Sequence, residues 1–113
     1  MTQPFTKEIL NTLPIKEGNL FEDRFIERAS DNIFNNLTIE EVINSLTRAK
    51  EGYIIKASNK YGRDLYNFYI SYKGYEYGLG ATIEDGYISV NSFLSIGQVN
   101  YGLNNKHMSN FTI

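Results

Sequence analysis

Three residues hold whatever catalytic chemistry this sequence can offer: His107, Arg24 and Arg28. His107 is the only imidazole in the chain. It is therefore the one side chain whose ordinary pKa lies near neutrality, and the default general acid or base. Arg24 and Arg28 are four residues apart. On a helix that spacing turns both guanidinium groups to one side, where they can clamp a phosphate or an acidic partner. A second group, Lys56, Arg63, Tyr69, Tyr87 and Asn91, suits binding rather than catalysis. Its cations can meet phosphates while its rings stack on bases, as single-stranded RNA requires. Tyrosine serves protein interfaces equally well, because it supplies a large contact area at low entropic cost. Each set also has a plainer reading. His107 stands beside Lys106 in a C-terminal tail, and Arg24 and Arg28 have Asp23, Glu27 and Asp31 as neighbours on a solvated helix face.

The same inventory excludes much. One histidine and no cysteine leave no thiolate–imidazole metal centre and no disulfide, so neither a metal nor another cofactor is expected. The chain lacks a phosphate-cradling glycine loop, the His/Glu spacing of metal sites and a nucleophile elbow. No run approaches the roughly 20 apolar residues that cross a bilayer, and Met1 to Phe5 carries no secretory signature. The expectation is a cytoplasmic protein with no membrane partner, and the oligomeric state stays open. The net charge of −2 argues against a dedicated nucleic-acid binder. Charge and aromaticity are divided along the chain. Residues 1–52 hold nine acids and six bases, residues 53–113 hold four acids and five bases, and all nine tyrosines fall in the second part.

These residues must be positioned by one domain, since 113 residues leave no room for two cores. Phe5 to Leu13 reads as a short helix closed by Pro14, completing an N-terminal arm over 1–19. A helical pair follows over 20–52. In its first member Phe21, Phe25, Ala29 and Ile33 recur every four residues up to Phe34. The second starts at the capping box Thr38-Ile39-Glu40-Glu41, buries Ile39, Val42, Ile43 and Leu46, and closes at Gly52 in a left-handed conformation. From Tyr53 the period drops to two, and an antiparallel sheet is expected over 53–96. Its strands are Tyr53–Ser58, Leu65–Tyr72, Tyr75–Ile83 and Tyr87–Ile96, with turns at Lys73-Gly74 and Glu84-Asp85-Gly86. Tyr66, Phe68, Ile70, Tyr77, Leu79, Ile83, Ile88, Val90 and Leu94 face inward. Lys56, Arg63, Tyr69, Thr82, Tyr87, Asn91 and Phe93 form an open outer face. Residues 97–113 read as an irregular tail with a short final strand at Asn110 to Ile113. The expected fold is α+β, with two or three N-terminal helices on one face of a four-stranded antiparallel meander.

Leu13-Pro14, Phe21-x-x-Arg24-Phe25-x-x-Arg28, Leu37-Thr38-Ile39-Glu40-Glu41-Val42 and a meander ending in Ser92-Phe93 resemble the barnase–EndoU–colicin–RelE group of small ribonuclease toxins. Similar domains occur in phage and contact-dependent toxin systems. The resemblance covers roughly residues 13–96. It implies metal-independent RNA cleavage, in which a general base activates the 2′-hydroxyl and Arg or Lys stabilises the phosphorane. Arg24, Arg28, Lys56, Arg63, Tyr69 and His107 are its candidates. Members of the group often carry a histidine on the first core helix, where this chain has Phe21 to Arg24. The competing class is a non-catalytic protein-binding module, such as an immunity protein or a phage-encoded inhibitor of a host or toxin enzyme. Mild acidity suits that class, because it steers association with a basic partner.

Overall fold

The structure, a computed structural model, describes residues 5–55 and 64–113. Thr6 caps the first helix, α1 (Lys7–Thr12), by accepting the Ile9 N–H. Pro14 ends it, and the chain continues extended as a short strand, β1 (Ile15–Glu17). The long helix expected over 20–34 is two. α2 (Phe21–Arg28) stops at Ala29, and α3 (Asp31–Asn36) restarts because the Ser30 hydroxyl accepts the Ile33 N–H. The capping box at Thr38 and Glu41 opens α4 (Ile39–Asn44), which tightens into a 3-10 turn over Ser45–Arg48. Phe5, Leu10, Phe21, Phe25, Ile33, Val42, Ile43 and Leu46 from this layer are buried in the main core.

The sheet overturns the expected four-stranded meander. Among the described residues it has six strands, ordered β1-β5-β4-β3-β2-β6, with β2 (Glu51–Ile55), β3 (Leu65–Tyr72), β4 (Tyr75–Glu84), β5 (Tyr87–Leu94) and β6 (Ser109–Thr112). β1 pairs with β5 in parallel, so the sheet is mixed. Val90 C=O accepts from Gly18 N–H at 2.7 Å, and Pro14 C=O accepts from Ile88 N–H at 2.8 Å, which fastens β1 at both ends. Gly52 lies inside β2 and terminates no helix. The expected tail is ordered as a fifth helix, α5 (Ile96–Asn104), and the edge strand β6.

Two local features explain the remaining differences. A bulge opposite Gly80/Ala81 pairs Gly80 with Ser92 and Ala81 with Val90, leaving Asn91 unpaired in the ladder. One extra residue flips every side chain beyond it to the other face. Phe93 is therefore fully buried in the core against Phe21, Phe25 and Tyr77, and Leu94 turns to the outer face. Ile83, at the hairpin end, is 37% exposed rather than inward. The second feature is α5, which covers part of the outer face. A Cβ on Gly78 would overlap the Val99 methyl, and one on Gly102 would overlap the Tyr53 ring. Absence of a side chain at both positions lets helix and sheet approach closely.

The helical layer is tied to the sheet by polar contacts as well as packing. The Ser45 hydroxyl donates to Val42 C=O at 2.5 Å and lies 2.7 Å from the Tyr77 hydroxyl. Its single proton is thus engaged, and Tyr77 is the donor in the second bond. Burial pushes the Tyr77 pKa up to about 12. The folded state therefore holds this proton more tightly than the unfolded chain, whose tyrosines titrate near pH 10. The resulting stability is complete below pH 10 and is lost as pH rises through 12. Urea midpoints measured between pH 9 and 12 are expected to fall by the equivalent of about 2–3 kcal/mol for Tyr77. A Tyr77→Phe variant should escape that component; a decline as steep as in the parent would assign the loss elsewhere.

Candidate functional site

The structure separates the residues that sequence reasoning groups as catalytic. Arg28 on α2 donates from Nη1 to the Phe93 carbonyl at 3.2 Å, partly buried, so its guanidinium anchors α2 to β5. Arg24 pairs with Glu27 at 3.2 Å on the exposed side of the same helix. His107 lies in the exposed turn after α5, where its backbone N–H donates to Asn105 Oδ1 at 2.8 Å. That turn leads into β6, and β4, β3 and β2 stand between β6 and the β5 strand that Arg28 touches. At an interstrand spacing near 4.8 Å, the two sites are about 19 Å apart across the sheet.

The binding candidates divide likewise. Lys56 and Arg63 lie outside the described residues. Tyr69 faces outward on β3 and donates its hydroxyl to Glu76 Oε1 at 2.5 Å. That bond, made by the protonated phenol to a carboxylate, raises its pKa to about 12. Lys73 is engaged too, paired with Glu41, which also accepts from the Tyr72 hydroxyl at 3.1 Å. The hydrogen bond from Lys73 holds the Glu41 carboxyl below its ordinary value.

Tyr87 and Asn91 do come together. Both line a cleft of about 670 Å³ on the outer face, between the β1–α2 loop and the ends of β4 and β5. Its floor is a polar chain: Ser89 Oγ donates to Asn91 Oδ1 at 2.7 Å, and Asn91 Nδ2 donates to Thr82 Oγ1 at 3.1 Å. Thr82 and Ser89 are buried, and Asn91 continues the outward alternation of Tyr87 and Ser89 up to the bulge. The Lys16 ammonium sits 4.8 Å over the Tyr87 ring at the wall. No family model, curated protein or solved structure matches this chain.

Function therefore has to be argued from the surface itself. Among the described residues no three His, Cys, Asp or Glu side chains cluster as metal ligands, and no helix is long and apolar enough to cross a membrane. Besides the cleft, the helical layer presents unusual surface. Leu20 and Ile26 are each 57% exposed and Phe34 is 47% exposed. The exposed Phe34 ring stacks on the buried Phe25 ring with centroids 5.8 Å apart, and Ile26 is on the same helix as Phe25. Glu22, Asp23, Glu27 and Asp31 lie on the same two helices. Leu20 joins this surface to the cleft, which it also lines.

Sequence reasoning missed Lys16, Gly18 and Leu20 as site residues because β1 is too short to show a period. Ser95 and Gln98 form a capping box that does mark the start of α5; Gly97 and Gly102 mask the helical pattern behind it.

Proposed function

We propose that this chain is a non-catalytic protein-binding module, of the immunity- or inhibitor-protein kind, whose α2–α3 surface meets a basic partner. The observation that carries the reading is the exposure of Leu20, Ile26 and Phe34 on helices whose Glu22, Asp23 and Asp31 have no ion-pair partner among the described residues. Of the two cations on these helices, Arg24 pairs with Glu27 and Arg28 serves the Phe93 carbonyl. Glu22, Asp23 and Asp31 keep their charge toward solvent. An apolar centre with a charged rim is the usual anatomy of a protein interface, and its negative sign selects a positive partner while accelerating encounter. The same field repels the phosphates of RNA. RNA cleavage is supported less well, since Arg24 and Arg28 are engaged within the fold and His107 stands across the sheet from Arg28.

The test has two parts. Purified protein incubated with total RNA and EDTA is expected to leave it intact; cleavage lost in His107→Ala would overturn the reading in favour of a ribonuclease. Affinity capture from the source cell is expected to return a basic protein whose association rate falls as salt rises. Ile26→Asp should weaken that purified complex by about tenfold to a hundredfold, as losing an apolar interface anchor does. Capture of nothing, or a complex indifferent to Ile26→Asp, would count against it.

A further inference from the structure

We propose that the outer-face cleft is a binding site for a neutral saccharide, a role distinct from that of the α2–α3 surface, with which it shares Leu20. Its volume of about 670 Å³ falls within the roughly 300–1,000 Å³ of small-ligand sites. The floor decides the ligand class. In the chain Ser89–Asn91–Thr82 each bond engages only part of each group's capacity. Ser89 Oγ keeps acceptor lone pairs, Asn91 Nδ2 keeps a second N–H, and the Thr82 hydroxyl, having accepted from Asn91, keeps its proton to donate. Acceptor and donors thus stand side by side. A pair of adjacent sugar hydroxyls, each able to donate and accept, matches that array. The array is held before any ligand arrives, because Thr82 is 6% and Ser89 9% exposed. Pre-organisation of this kind lowers the ordering cost of binding.

The loop that closes the cleft is built for contact with this floor. A Cβ on Gly18 would overlap Asn91 Oδ1 and come within 3.0 Å of the Val90 carbonyl. Only glycine lets the loop approach so closely. Leu20, Leu65 and Tyr87 supply apolar wall for the C–H faces of a sugar ring. The floor of Ser89, Asn91 and Thr82 carries no cation that would hold a phosphate or carboxylate.

The test is an amide-resolved NMR titration of the intact chain with maltotetraose, cellotetraose and chitotriose, alongside adenosine, uridine and adenosine monophosphate. At least one saccharide is expected to shift amides of residues 16–20 and 82–91 with a millimolar or tighter dissociation constant. Thr82→Val, which keeps shape and removes the hydroxyl, should weaken that binding about tenfold. Ser89→Ala provides the same test should Thr82→Val lose its dispersed spectrum. The proposal is overturned by no shift from any saccharide at about 20 mM, by shifts confined to other surfaces, by a nucleoside or nucleotide binding the cleft instead, or by undiminished affinity in the folded variant.

Discussion

Replacing Phe93 with alanine is expected to cost about 3–5 kcal/mol of stability, most of the margin of a small domain. Phe93 is fully buried, edge-on to Phe21 and Phe25 at centroid separations of 6.5 and 5.1 Å and stacked with Tyr77 at 5.3 Å. Truncation would remove the ring on which α2 rests, and with it the carbonyl-bearing segment that Arg28 grips would lose its packing. The cavity could not close, because its walls belong to a helix and a sheet that the core holds apart. Ser92, the neighbour on the other face, should tolerate alanine within about 1 kcal/mol. Urea denaturation of the two variants measures the contrast. Under strict alternation from Tyr87, Phe93 would be an outward side chain and its loss nearly neutral. A cost below about 1 kcal/mol would therefore remove the bulge from the account of this fold.

The bulge also shows what a sequence can and cannot reveal. Alternation is visible in Leu65 to Tyr72 and Tyr75 to Ile83, and the turn residues Lys73, Gly74 and Gly86 do adopt positive φ, at 51°, 83° and 83°. The capping box at Thr38 forms as its residues imply. These elements are encoded locally, by period and by backbone preference. Asn91 carries no local mark of a bulge, since the extra residue is defined by what β4 offers opposite it. β1 is similar: Ile15-Lys16-Glu17 contains one apolar residue, and only tertiary closure against β5 makes it a strand. Gly78 in β4 makes room for α5, a helix that begins eighteen residues later in the chain. For the cleft, Tyr87, Thr82 and Asn91 are legible as outward residues on a sheet. Lys16, Gly18 and Leu20 arrive through the parallel pairing, so the concavity itself was not.

Gly52→Ala is expected to be the other severe substitution, costing about 3 kcal/mol where the same change in an ordinary strand would gain a few tenths. The conformation of Gly52 makes no special demand, since among the described residues only Lys73, Gly74 and Gly86 have positive φ. The demand is for space. Gly52 pairs with Phe68 on one side and with Phe111 on the other. A Cβ there would overlap the Asn67 carbonyl oxygen and approach the Phe111 ring to 2.7 Å. The carbonyl belongs to the β3 backbone and cannot swing away like a side chain, so relief must come from separating β2 from β3. β6 pairs with β2 alone, which makes the two strands one mechanical unit at the sheet edge. Hydrogen exchange should then show amides of Glu51–Ile55 and Ser109–Thr112 losing protection together, while β4 and β5 stay protected. Apart from Leu65 on β3, the cleft is lined by β4, β5 and the β1–α2 segment, away from β2 and β6. Ligand binding there should survive a substitution that opens β2 and β6, and its loss would mean that the two edges are coupled through the sheet.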